Sequence, residues 1–138
     1  MSRFAAILFV FGAVMALLSV AADAFAAHGL ASMAPAMEQA VVWFKEGTNF
    51  QMNHALALLI ATAVSERVAG RAQKVLRAAA ISFAAATVLF PGALYSISFA
   101  GPGFFAPWGG YAAMIGWLLL AAGAVMAVPR GEASEQQA

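Results

Sequence analysis

The feature that most constrains this chain is an apolar run from Phe4 to Ala27, which only Ser19 and Asp23 interrupt. A helix needs about 20 apolar residues to cross the hydrocarbon core of a bilayer, so this run is long enough to span one. Of the 138 residues, 64% are hydrophobic and 9% are charged, whereas soluble domains carry about 25% charged residues. The sequence therefore predicts a single integral membrane domain.

The first run also has features of a secretory signal, because Arg3 makes a basic start and Ala24-Phe25-Ala26 resembles a cleavage site. The run is longer than the usual signal core, and its small residues recur at the spacing of helix packing. A membrane span is the preferred interpretation.

Three further apolar runs divide the rest of the chain. The sequence predicts an all-α, left-handed bundle of four transmembrane helices. The predicted spans are residues 4–27, 48–65, 78–100 and 109–128, followed by a polar tail at 129–138.

The connection between the first two spans is predicted to form a short amphipathic segment at the membrane interface. Pro35 and Glu38 suit the first turn of a helix, and apolar residues then recur on one face. Gly47 is the expected bend into the second span.

Small residues predict close packing between the helices. The fourth span repeats glycine every seven residues, which lets a neighbouring helix approach. Pro91 in the third span predicts a kink, because the carbonyl of Thr87 loses its usual backbone donor. The predicted packing glycines are Gly12, Gly109, Gly116 and Gly123.

Basic residues are concentrated between the second and third spans. With four spans, this loop falls on the same side as Arg3 and Arg130, whereas Lys45 falls on the other side. Basic residues remain on the cytoplasmic side, so both termini are predicted to be cytoplasmic. Binding of anionic lipid headgroups is the alternative explanation. The basic loop contains Arg67, Arg71, Lys74 and Arg77.

The composition excludes several functions. A net charge of +1, with no long basic run, predicts no nucleic-acid partner. The absence of cysteine removes disulfides, thiolate metal sites and thiol nucleophiles. No serine lies in a nucleophile turn and no glycine-rich loop follows a strand, so neither an enzyme nor a cofactor is predicted.

Four motifs carry a resemblance to a known family. They are AFAAHGL at 24–30, FQMNHALALL at 50–59, GALYSISFAG at 92–101 and PWGGYAAMIGW at 107–117. In this order the chain resembles the YgdD-like family of small bacterial inner-membrane proteins of unknown function, over about Gly12 to Gly123.

The sequence departs from the pattern of that family at four positions. Asp23 and Ala26 stand where glycine is expected, Phe50 where tyrosine is usual, and Pro91 where no proline is expected. The resemblance implies a four-span protein of the bacterial inner membrane with both termini inside. It implies no activity.

A polar cluster is predicted inside the bundle near its outer face. At about 1.5 Å per residue, Asp23, His54 and Tyr95 lie about 6 to 9 Å below the outer boundary, and Gln51 shares their packing face. A carboxylate in a span costs about 2.5 to 3.5 kcal/mol unless it is neutral or paired. The cluster either hydrogen-bonds the helices together or forms a proton-linked or ligand-holding pocket.

The two histidines raise the question of a metal or haem site. His28 and His54 lie near the outer ends of neighbouring helices, and Glu46 is the only further ligand candidate nearby. A closed zinc site needs four ligands, and bis-histidine haem needs a wide gap, so neither is predicted. His28 is instead expected at the C-terminal end of the first helix, where a cation complements the helix dipole.

The sequence favours a non-enzymatic accessory or scaffold protein that packs against itself or a larger membrane complex through its glycine and alanine faces. The alternative is a small carrier or ligand-binding protein that uses the outer polar pocket and couples to a proton through Asp23 and His54. A scaffold predicts a filled bundle interior, whereas a carrier predicts a cavity that reaches His54.

Overall fold

The computed structural model describes residues 1–30, 32 and 38–128, and this part of the chain is helical without strands. A π-helical turn at Ala26–Leu30 extends the first helix. The predicted all-α helical bundle is confirmed. Its four helices are α1 at Arg3–Phe25, α2 at Glu38–Ser65, α3 at Gly70–Ser98 and α4 at Ala106–Ala127.

Neighbouring helices along the chain pack against each other. The most extensive interfaces are those of α3 with α2 and with α4, followed by that of α1 with α2. Leu58 and Phe83 are fully buried in the main core. Their partners there are mostly alanines, which allow the backbones to approach closely. The buried alanines of this core are Ala57, Ala61, Ala79 and Ala80.

Three segments are long and apolar enough to cross a membrane, namely Arg3–Leu30, α3 and α4. The polar side chains in α2 make that helix less apolar than the other three segments. Nevertheless, α2 runs alongside the whole length of α1. Ser19 of α1 contacts Thr48 near one end, and Ser2 contacts Glu66 at the other.

The predicted interfacial segment is continuous with the second helix, because α2 is unbroken from Glu38 to Ser65. The predicted bend at Gly47 is wrong. Gly47 is buried, and a Cβ atom there would lie 2.8 Å from Cε1 of Tyr95. The absence of a side chain at residue 47 therefore permits the close approach of α3. Pro35 and the tail at 129–138 lie outside the described residues.

The predicted basic loop is mostly helical. α3 begins at Gly70, whose φ of 67° marks the turn from α2, so only Arg67 lies in the connection. Arginine and lysine are good helix formers, and nothing in the backbone requires them to lie in a loop. Arg71, Lys74 and Arg77 therefore occupy the first turns of α3, which remains helical through Pro91.

The four predicted packing glycines all lie at contacts between helices of the same chain. A Cβ atom at Gly116 would lie 2.7 Å from the Phe83 ring, and one at Gly123 would lie 2.6 Å from Leu76. At Gly12 the nearest atom would be in Leu59, at 3.0 Å, and Gly109 packs directly on the backbone of Phe90.

Candidate functional site

Hydrogen bonds link α1 to α2 in the half of the bundle where α1 ends. Ser19 Oγ donates to the carbonyl of Thr48 at 2.8 Å, and Gln51 Nε2 donates to the carbonyl of Met15 at 2.8 Å. The contributing positions on α1 are one helical turn apart. We call this set the polar ladder, and it comprises Met15, Ser19 and Asp23 of α1 with Thr48 and Gln51 of α2.

Asp23 is the loosest member of the polar ladder. The Thr48 hydroxyl lies 3.3 Å from Asp23 Oδ1 and 2.8 Å from the carbonyl of Lys45. A hydroxyl has one proton to donate, and the shorter contact is favoured. The Asp23 side chain is exposed at the edge of α1, so its carboxylate is not enclosed between helices.

Gln51 joins three helices through its buried amide. While its Nε2 donates to α1, its Oε1 accepts a hydrogen bond from the Tyr95 hydroxyl of α3 at 2.8 Å. Tyr95 also packs against Phe44, with ring centroids 4.5 Å apart. Two of the predicted cluster residues, Gln51 and Tyr95, are therefore in direct contact, and Asp23 lies next to them through Thr48.

His54 is engaged elsewhere, between α2 and α4. Its Nδ1 lies 2.8 Å from the carbonyl of Phe50, and the indole Nε1 of Trp117 donates to its Nε2 at 3.3 Å. A carbonyl only accepts and an indole N–H only donates, so these partners require a neutral imidazole with its proton on Nδ1. Both ring nitrogens are therefore occupied.

Aromatic rings surround this imidazole. Phe50 stacks on His54 with centroids 3.9 Å apart, and Phe83 and Trp117 lie at 6.0 and 6.1 Å. Phe83 and Trp117 also pack against each other at 5.0 Å. His54 is 8% exposed, so this side of the bundle interior is filled.

The predicted four-residue cluster is thus divided in the structure. Gln51 and Tyr95 bond to each other and Asp23 contacts Thr48, whereas His54 lies about 9 Å beyond Thr48 along α2. His54 pairs with Trp117 of α4 and not with Asp23. The sequence analysis did not connect Trp117 to His54, because a contact between residues 63 positions apart leaves no signal in spacing.

The other predicted ligand candidates are also separate. His28 lies exposed in the π-helical turn, and Glu46 is exposed on α2. Within the described residues, no group of three or more His, Cys, Asp or Glu side chains is placed to hold a metal ion.

A second polar contact lies at the end of the bundle where α1 begins. The Ser2 backbone N–H donates to Glu66 Oε2 at 2.6 Å, and Arg77 donates to Glu66 Oε1 at 2.9 Å. The Ser2 hydroxyl caps α1 by accepting from the N–H of Ala5 at 3.2 Å. The Arg77 guanidinium also lies 5.5 Å from the centre of the Phe4 ring. These contacts tie α1 to the α2–α3 connection, and sequence reasoning did not detect them.

This contact makes the stability depend on pH. The Ser2 N–H and the Arg77 guanidinium hold the pKa of the Glu66 carboxyl below its ordinary value of 4.5. A depressed pKa stabilises the folded state above pH 4.5, and this contribution is lost as the pH falls through the lower folded value. We expect the difference in thermal stability between wild type and Glu66→Gln to be constant near neutral pH and to shrink below pH 4.5. A difference that stays constant down to pH 3, about 1.5 units below the ordinary pKa of this carboxyl, would contradict it.

Comparison with known proteins identifies the family of this chain. The family described as "Protein of unknown function (DUF423)" matches residues 22–110. A UPF0382 membrane protein of Haemophilus influenzae is 38% identical over 107 residues, covering 75% of this chain and 82% of the relative. The UPF0382 membrane protein YwdK of Bacillus subtilis is 35% identical over 119 residues, covering 84% of this chain and 94% of the relative.

A third relative extends over nearly the whole chain. The UPF0382 inner membrane protein YgdD of Escherichia coli is 31% identical over 138 residues, covering 97% of this chain and 98% of the relative. No solved structure matches the chain. The resemblance carried by the four motifs is confirmed, and the chain belongs to the DUF423, or UPF0382, family of membrane proteins.

Proposed function

We propose that this protein is a non-enzymatic accessory or scaffold protein of a bacterial inner membrane. All four helices cross the bilayer in this proposal, including α2, which lies against α1 and α3 along its length. The Escherichia coli relative is named as an inner membrane protein, which supports the location.

The distribution of basic residues supports cytoplasmic termini. Arg67, Arg71 and Lys74 lie at the end of the bundle where α1 begins, which is also the end of Arg3. Lys45 lies towards the opposite end, near Thr48. The positive-inside rule then favours the cytoplasm for the first end and for both termini.

The closed environment of His54 is the observation that carries the proposal. A carrier that used this imidazole would need space around it, and a proton relay would need a ring-nitrogen partner that exchanges a proton, which a backbone carbonyl and an indole N–H do not. Phe50 and Trp117 occupy both nitrogens instead. A cavity of about 480 Å³ lies along the outside of α1, and one of about 340 Å³ lies beside Gly92 on α3. Neither of these two cavities is lined by His54. The aromatic rings packed around His54, which is 8% exposed, therefore favour a scaffold.

The polar ladder fits the same function. Polar side chains between helices in a bilayer stabilise their association by about 0.6 kcal/mol each on average. Gln51 satisfies groups on α1 and α3 together, so it fixes the relative positions of three helices. A scaffold needs such a fixed arrangement to present a constant surface.

Reconstitution into proteoliposomes tests the proposal. We expect background flux of ions and small organic solutes for wild type, for His54→Ala and for protein-free vesicles. As a matched control, Leu118→Ala changes an exposed side chain of α4 and should behave in the same way. Specific flux in wild type that is lost in His54→Ala but retained in Leu118→Ala would overturn the scaffold assignment and establish a carrier.

A further inference from the structure

The outward face of α2 carries polar side chains that the described residues do not cover. Exposed residues recur along it at alternating intervals of four and three residues. We call this face the α2 stripe, and it consists of Val42, Glu46, Asn49, Asn53, Leu56 and Ile60. Within the described residues, the side chains of Glu46, Asn49 and Asn53 make no hydrogen bond. Their polar groups are therefore available to a partner molecule.

The depth of the α2 stripe makes this exposure costly. Asn53 precedes His54, which is bonded to Trp117 near the middle of α4. In the proposed four-span arrangement, Asn53 therefore lies well inside the hydrocarbon layer. Lipid chains offer no hydrogen-bond partners, and an unsatisfied amide in an apolar environment costs several kcal/mol. A partner that hydrogen-bonds these amides would remove that cost.

We propose that the α2 stripe is the contact surface between two copies of this chain. Their α2 helices lie parallel and are related by a two-fold axis along the membrane normal. This inference rests on the proposed function, because it needs α2 to cross the membrane, and it names the first partner of the scaffold.

The spacing of the α2 stripe favours a second α2 helix as the occupant. Alternation of four and three residues averages 3.5, the repeat of a left-handed two-helix coiled coil. An asparagine amide both donates and accepts, so Asn49 and Asn53 can each pair with the same residue of the partner subunit. A buried asparagine in such a seam also fixes register and favours pairing of two strands. The stripe is therefore complementary to itself.

Charge at one end of the α2 stripe points to the same arrangement. Lys45 precedes Glu46 and lies at the edge of the stripe. In a parallel pair, Lys45 of each copy approaches Glu46 of the partner subunit, so two opposite-charge contacts form across the axis. The predicted glycine faces are already filled by neighbouring helices of the same chain. The α2 stripe is a polar surface that the described part of the chain leaves available for association.

Single-cysteine cross-linking in native membranes tests this interface, because the chain contains no cysteine of its own. We expect Asn53→Cys to give a disulfide-linked dimer on mild oxidation. Ile60→Cys is the second variant, since it keeps both asparagines and lies one heptad further along the stripe. Leu118→Cys is the control, because Leu118 lies beside Trp117 at the depth of His54 and is 72% exposed on α4. It should remain monomeric.

Charge reversal gives an independent readout in the Ile60→Cys background. Glu46→Lys should reduce the cross-linked fraction several-fold, because four positive side chains would then meet at the axis. Combining Glu46→Lys with Lys45→Glu should restore it. Failure of both Asn53→Cys and Ile60→Cys to cross-link, or equal cross-linking of Leu118→Cys, would overturn the second copy as the occupant.

The outcomes separate this inference from the proposed function. If a photoreactive side chain at residue 53 captures a different polypeptide and no second copy, the self-association is wrong and the scaffold assignment stands. If solute flux depends on His54 while the α2 cross-links persist, the scaffold assignment is wrong and the interface stands.

Discussion

Gly109→Ala is expected to destabilise the bundle by about 1 to 3 kcal/mol, the range observed for overpacked interiors. A Cβ atom at Gly109 would lie 2.8 Å from the Cα of Phe90, and the nearest atom of all is the backbone nitrogen of Phe90. Backbone atoms cannot rotate away as a side chain can. The α3 and α4 helices must therefore separate to admit one methyl group. Unfolding in detergent, followed by circular dichroism, measures the loss.

The adjacent glycine provides the control. Nothing lies within 4 Å of a Cβ atom added at Gly110, although this residue is in the same turn of α4. Alanine is favoured over glycine in a helix by about 0.5 to 1 kcal/mol. Gly110→Ala should therefore match or exceed wild-type stability. Equal stability of the two variants would show that the α3–α4 contact at Gly109 is not close.

Phe83→Ala is expected to have the second large effect, a loss of about 2 to 3 kcal/mol. Phe83 is fully buried where α2, α3 and α4 meet, and its ring packs against His54 and Trp117. Removing about 100 Å³ of side chain at about 24 cal/mol per Å³ of cavity gives this magnitude. The estimate uses the cavity alone, because transfer of apolar groups between a lipid bilayer and the bundle interior contributes little. Detergent unfolding of the variant measures the effect.

A double-mutant cycle tests whether the cause is local packing. Gly116→Ala alone would place its Cβ atom 2.7 Å from the Phe83 ring and should itself destabilise the bundle. In the Phe83→Ala background that clash is absent, so the combined loss should be smaller than the sum of the single losses. Additive losses would mean that Phe83 and Gly116 do not share a contact surface.

The number and order of the helices could be predicted because apolar runs are separated by polar or glycine- and proline-rich segments. The first and last residues of each helix were harder to predict. The second span was predicted to begin at Thr48, after an interfacial segment and a bend at Gly47, yet backbone hydrogen bonds make one continuous helix from Glu38. The third helix likewise includes basic residues that the prediction placed in a loop. The position of charged residues indicates which part of a helix lies outside the membrane, but it does not show where the helix begins.

The same error in helix bounds explains the divided cluster. The α1 helix continues through a π-helical turn to Leu30, and α2 begins at Glu38, so counting from residues 27 and 48 did not give the register between the two helices. Thr48 consequently lies level with Asp23, and His54 lies deeper. The contact of Gln51 with Tyr95 stayed within reach of prediction, because both residues lie on the packing faces of adjacent helices.

The contacts of Glu66 were beyond sequence reasoning for a different reason. Ser2 and Glu66 are 64 positions apart, and Arg77 is 11 positions further on. Each residue alone has an ordinary local explanation, as a helix cap, a polar turn residue or a topology signal. Only the packing of α1 beside the α2–α3 connection brings their side chains together.

This arrangement has a consequence for biosynthesis. The Glu66 carboxylate accepts hydrogen bonds from Ser2 and from Arg77, so the complete contact at the beginning of α1 cannot form until translation has passed residue 77. Until then, the first hydrophobic segment has left the ribosome without its final neighbours. In the proposed four-span arrangement, α1 can therefore pair with α2 first, through Ser19 and Gln51, and the contact at its beginning is completed only when α3 arrives.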